Sequence, residues 1–131
     1  MKLWTDYLIN SQAIDSIYHG DKSTLSSVDI HEIIFHRDGP KISIRLNLNS
    51  YPKSPPKKWV MQKFNTVQIV LSLLEIKDVT ISGWVNTNYI ANIEIDDMNG
   101  EVNIKIDNSA LKLNVKARFL DIESITAYLK N

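Results

Sequence analysis

The chain has 131 residues, 15 Lys plus Arg against 15 Asp plus Glu, no cysteine and 44% hydrophobic residues. That length suits a single domain over 1-131, and the balanced charge gives no electrostatic footprint for a nucleic-acid partner. Without cysteine there is neither a disulfide framework nor thiolate chemistry, and no apolar run reaches signal-peptide or membrane-spanning length, so the expectation is a cytoplasmic protein with no membrane contact.

Trp4, Tyr7, Leu8, Ile14, Ile17 and Tyr18 recur at three- and four-residue steps, the stripe of an amphipathic helix. Thr5 can cap its start, Asn10-Ser11 can break it into two pieces, and Gly20 stands where a C-terminal glycine stop belongs. His19 falls in the last turn, where it complements the helix dipole. Asp21 to Ser27 reads as a polar loop. A strand follows from Val28 to Arg37, but Val28 and Ile30 are even while Ile33 and Phe35 are odd; a bulge near His31-Glu32 restores one core face. Asp38-Gly39 marks a turn. Pro40 lacks the N–H that closes a two-residue loop, so a loop from Arg37 to Pro40 is predicted, with His36 opposite Lys41. That register sets Phe35 against Ile42, Ile33 against Ile44 and Glu32 against Arg45. Ile42, Ile44, Leu46 and Leu48 then line the core face of the second strand.

Tyr51 to Trp59 holds Pro52, Pro55 and Pro56, which favours a stiff, extended crossing with Trp59 anchored on the sheet. From Asn65 to Leu74, Val67, Ile69, Leu71 and Leu73 occupy one side and Val70 and Leu74 the other, the pattern of a strand inside a sheet. A connection at Glu75-Ile76-Lys77 is predicted, pairing Leu73 with Val79, Leu71 with Ile81 and Ile69 with Gly83, where Gly83-Trp84 ends the strand. Asn99-Gly100 as a tight turn pairs Ile95 with Ile104 and Ile93 with Ile106, with Glu94 beside Lys105. Asn108-Ser109 as the next turn pairs Ile106 with Leu111, Ile104 with Leu113 and Val102 with Val115. Lys112, Asn114, Lys116 and Arg118 then share an outer face with Glu94, Asp96, Asn103 and Lys105, a solvated surface of mixed sign. Ile122 to Leu129 fits a closing strand or a short helix, and the alternation of Ile125, Ala127 and Leu129 favours the strand. The expected fold is α+β and mostly β: an antiparallel meander sheet of about seven to eight strands, strongly twisted or partly barrel-like, with an N-terminal helix packed on one face.

The chemistry is read mainly by exclusion. His31 and His36 lack a cysteine or a third histidine at metal-ligand spacing. Asp96, Asp97 and Glu101 around one turn do not match a calcium-binding loop. No serine or cysteine stands in a nucleophile motif beside His36 and Asp38, and the glycines occur singly rather than in a phosphate loop. A non-enzymatic protein without metal or cofactor is expected.

Several markers keep their order along nearly the whole chain: Trp4 in a helix, the strand into His36-Arg37-Asp38-Gly39-Pro40, Tyr51-Pro52 with Pro55-Pro56 and Trp59, Phe64-Asn65, Gly83-Trp84, and Ile125-Thr126-Ala127-Tyr128. In that order they resemble the immunity protein 50 family. The resemblance implies a bacterial cytoplasmic immunity protein, encoded beside a polymorphic or contact-delivered toxin, that binds and neutralises the cognate toxin effector domain. A monomer or homodimer suits that role, and no catalytic residues come with it. Arg37, Asp38, Tyr51, Lys57, Lys58 and Trp84 are the candidate toxin contacts, because interface energy concentrates in aromatic and charged side chains on ordered backbone. The alternative is a lipocalin-like β-barrel binding a small ligand among its aromatics, against which the polar Gln68 and Ser72 speak.

Overall fold

The computed structural model describes residues 3–19, 24–85 and 89–131. A 3-10 turn (Trp4–Tyr7) and α1 (Gln12–Tyr18) precede β1 (Val28–His36) and β2 (Lys41–Asn47). Then come α2 (Lys57–Met61), β3 (Thr66–Gly83), β4 (Ile90–Ala91), β5 (Ile93–Met98), β6 (Glu101–Asn108) and β7 (Leu111–Tyr128). All seven strands form one antiparallel sheet in the order β4-β1-β2-β3-β7-β6-β5, so the mostly β fold with few helices is as expected. The sheet does not close into a barrel, which removes the enclosed ligand cavity that the lipocalin-like alternative requires.

Two long strands organise the sheet. Residues 68–74 of β3 pair with β2 on one side, and residues 66–74 pair with residues 119–128 of β7 on the other. Residues 76–83 of β3 pair with 111–117 of β7, which in turn pair with β6. The predicted connection at Glu75-Ile76-Lys77 is therefore wrong: β3 continues through it, and Val79 and Ile81 lie opposite Val115 and Leu113 rather than Leu73 and Leu71. Glu75 adopts a left-handed φ of 55°, and the register slips between Ile76 and Asp78. Those irregularities bend the strand without reversing it.

One face of both halves is the core. Ile44, Leu46, Ile69, Leu71, Leu73, Ile104, Val115 and Leu120 are fully buried there. Each such side chain contributes about 1.5–3 kcal/mol on burial, so this shared apolar face is the main stabilising feature. Trp4, Ile14 and Tyr18 extend it from the N-terminal segment, and the Tyr18 hydroxyl donates to the Ser50 carbonyl at 2.8 Å. That segment breaks where expected, with the Asn10 side chain accepting the Gln12 N–H at 2.9 Å. Thr5 is not the cap, since the 3-10 turn starts after Leu3, whose N–H donates to Asp6 at 2.8 Å. His19, at φ 50°, ends α1, while Gly20 and positions 21–23 of the expected loop lie outside the described residues.

The β1–β2 hairpin has the predicted register, including the slip between Ile30 and Glu32 and a 3.4 Å Arg45–Glu32 ion pair. Phe35 shares the core face of Ile42 yet stays 50% exposed at the open sheet edge. The β5–β6 hairpin is also as predicted, with Asn99 and Gly100 at φ 55° and 79°, the pair of left-handed residues that a tight two-residue turn requires. The β6–β7 pairing is displaced by two residues: Ile106 meets Leu113, Ile104 meets Val115 and Val102 meets Ala117. Asn108 stays in the strand, where its side chain accepts the Ala110 N–H and donates to the Ile90 carbonyl, both at 2.7 Å. After Phe119, β7 runs on as a strand to Tyr128. The proline-rich crossing is extended only as far as Pro56, which caps α2, and the partly buried Trp59 anchors that helix against the core.

Candidate functional site

The six nominated residues fall in three places. Arg37 and Asp38 occupy the β1–β2 tip, 3.9 Å apart with side chains 97% and 100% exposed. Tyr51, Lys57 and Lys58 gather around α2 at the other end of β2, whose seven residues span about 20 Å. There the Tyr51 ring tilts against Trp59 at 6.3 Å between centroids, and burial pushes its phenol pKa up from 10.0. Trp84 follows β3, ten residues beyond the Leu74 that faces Lys41 at the tip. It sits at φ 67°, 42% exposed, and stacks on Tyr89 at 4.5 Å. Tyr51 thus joins Lys57 and Lys58, while the hairpin tip and Trp84 stand apart as separate patches.

Sequence reasoning missed a polar cluster on the outer face. A register slip between Leu71 and Val70, opposite Ile122 and Ser124, makes Glu123 the extra residue on β7. Its Oε1 accepts hydrogen bonds from Ser72 Oγ at 2.7 Å, Ser43 Oγ at 3.2 Å and Lys41 Nζ at 3.3 Å. The Ser72 bond leads the causes that hold the Glu123 carboxyl below its ordinary 4.5, against a smaller opposing effect of desolvation. His36 Nε2 lies 3.2 Å from Ser43 Oγ. The Ser43 hydroxyl is thus shared between the Glu123 carboxylate and the His36 ring. The arrangement satisfies two serines that are only 3% and 5% exposed and ties β2, β3 and β7 together. A cluster assembled across strands 80 residues apart in the chain leaves no local motif.

Charge segregation was also missed, although it is written in the sequence. Between positions 46 and 74 there are four lysines, Lys53, Lys57, Lys58 and Lys63, and no acidic residue. Between 78 and 104 there are five acids, Asp78, Glu94, Asp96, Asp97 and Glu101, and no Lys or Arg. The net charge of zero conceals both runs. In the fold, α2 and the residue after its cap present Lys57, Lys58 and Lys63 without an ion-pair partner among the described residues, beside Val60 and Met61 at 59% and 73% exposure. Three of these acids, Glu94, Asp96 and Asp97, lie along β5, whose outer side pairs with no strand among the described residues, so charge protects that edge from unwanted pairing. Among the described residues no group of three or more His, Cys, Asp or Glu side chains is placed to hold a metal ion.

The family model described as Immunity protein 50 matches residues 10–128. No curated protein matches. A solved structure, the crystal structure of an uncharacterized protein from Neisseria gonorrhoeae, is similar at a TM-score of 0.51 and 14% identity, covering 79% of this chain and 96% of that one. At that identity the likeness speaks to the fold alone.

Proposed function

Since the chain belongs to the immunity protein 50 family, we propose that it protects a bacterial cell by binding, in the cytoplasm, the effector domain of a cognate toxin encoded beside it. The observation that carries this reading is the family match over residues 10–128. The α2 pole supports it physically. Exposed Val60 and Met61 are ringed by Lys57, Lys58 and Lys63, and the Trp59–Tyr51 contact braces the short helix from beneath. An apolar centre with a charged rim on ordered backbone is the usual anatomy of a protein interface. The first contact surface is therefore Tyr51, Lys57 and Lys58, with Arg37 and Asp38 at the hairpin tip and Trp84 after β3 as further contacts for a partner large enough to reach them.

Co-expression with the toxin from the neighbouring gene tests both levels of the proposal. The native protein restores growth and co-purifies with the toxin, and the folded Lys57→Glu/Lys58→Glu variant loses both. Protection and binding by that variant at the native level would move the interface away from α2. No protection by the native protein would refute the function itself.

A further inference from the structure

The N-terminal segment touches β7 at a single bridge and leaves it as a helix. Leu8 bridges Leu120 in parallel, and the Ile9 N–H donates to the Leu120 carbonyl at 2.9 Å. At Asn10 the chain turns away into α1. Beyond Leu120, β7 pairs with β3 on one side, and among the described residues no strand pairs with its other side. The outward peptide groups of such an edge keep their hydrogen-bonding capacity, which a strand laid beside them satisfies.

A cavity of about 430 Å3 lies between that edge and α1, lined by Asn10, Ala13 and Ile17 from the helix side and by residues 121–125 of β7. Ile17, Ile122 and Ile125 are partly buried and pack on the core, which gives the groove an apolar floor. Its charged lining is acidic. Asp121 is half-buried and makes no ion pair or side-chain hydrogen bond among the described residues, whereas the Glu123 carboxylate is turned towards β2 and β3 and engaged by Ser72, Ser43 and Lys41. The uncompensated Asp121 carboxylate leaves this edge negative.

We propose that this groove binds an extended segment of a partner protein with alternating apolar and basic side chains, added to the sheet as a further strand on the β7 edge. Main-chain hydrogen bonds to residues 121–125 hold the segment, whose apolar side chains alternate into the floor formed by Ile17, Ile122 and Ile125. Lysine or arginine opposite Asp121 supplies the complementary charge, and an acidic segment is repelled. The inference deepens the protective reading and rests on it only for the identity of the partner as the toxin.

The probes are a blocked hexapeptide alternating lysine and valine, its glutamate–valine counterpart, and the lysine–valine peptide with one central valine replaced by proline. They are titrated into isotope-labelled protein while amide shifts are followed by NMR. The lysine–valine peptide shifts amides of residues 9–17 and 120–126, and the other two bind at least about tenfold more weakly, since each loses a charge match or a strand hydrogen bond. Asp121→Lys and, as a second route, Ala13→Arg each weaken the lysine–valine peptide by a similar factor at an unchanged melting temperature. Shifts confined to the acidic β5 edge, equal binding of the glutamate peptide, or native affinity in both folded variants would overturn the proposal. These probes contain no toxin, so the groove and the protective function succeed or fail independently.

Discussion

Replacing Gly83 by alanine tests the bent, continuous β3–β7 pair that the sequence pattern did not reveal. Gly83 has a φ of 94°, and a Cβ built there would run into the carbonyl oxygen of Ala110 while lying 2.9 Å from the Ala110 carbonyl carbon and 3.1 Å from Leu111 Cα. That same carbonyl accepts the Trp84 N–H at 3.0 Å. Left-handed strain in a residue with a side chain costs about 1–2 kcal/mol, and displacing backbone at the end of the β3–β7 ladder adds a similar amount. The expected loss is about 3 kcal/mol, or about 10 °C in Tm for a domain of this size. Gly100→Ala is the internal control. Its φ is 79° but nothing lies within 4 Å of the added Cβ, so it bears the strain alone, about 1 kcal/mol. Urea unfolding of the two variants, with calorimetry as a check, separates the steric part from the conformational part. A Gly83→Ala variant within about 0.5 kcal/mol of Gly100→Ala would refute the close approach of the β3 end to the β6–β7 turn.

Glu123→Gln lowers stability at neutral pH. Because the folded carboxyl titrates below its ordinary 4.5, its contribution is present above that value and is lost as pH falls through the lower folded one, so native and variant urea midpoints converge in acid. Tyr18, buried and pushed up to about 12 from 10.0, behaves in the opposite sense: its neutral form is favoured by folding, and stability is lost as pH rises from about 10 towards 12. Tyr18→Phe removes the phenol that ionises at about 12 in an ultraviolet titration and costs about 1 kcal/mol through its lost bond to Ser50. Gly39→Val, at a φ of 134°, costs on the order of 1–2 kcal/mol, and an unchanged Tm would contradict the strained hairpin loop.

What the sequence disclosed depended on whether a local feature distinguished one register from its neighbours. Asn99-Gly100 and the loop from Arg37 to Pro40 carry turn chemistry at defined positions, and Glu32 opposite Arg45 confirmed the second register independently. Asn108-Ser109 resembled a turn just as well, yet a displacement of two residues leaves every apolar side chain on its original face, so patterning does not detect it. Glu75 to Lys77 looked like a connection because a bulge and a turn draw on similar residues; the difference lies in the distant β7, which supplies the partner for Val79 and Ile81. The Glu123 cluster depends on another bulge and on serines from two other strands, so no spacing in the chain announces it. The opposed charge runs at 46–74 and 78–104, by contrast, required only a windowed count. Of the nominated contacts, Tyr51, Lys57 and Lys58 were close in sequence and proved close in space, whereas the length of β2 separates them from Arg37 and Asp38.

The central claim is that this protein neutralises a toxin by stoichiometric binding. The most direct measurement adds the purified protein in steps to the purified effector domain encoded by the neighbouring gene and follows the activity of that effector. The account predicts a linear fall in activity that reaches completion at a fixed molar ratio, with a complex of the same ratio isolated by size-exclusion chromatography. Undiminished activity in the presence of excess folded protein, with the two species eluting separately, would contradict it.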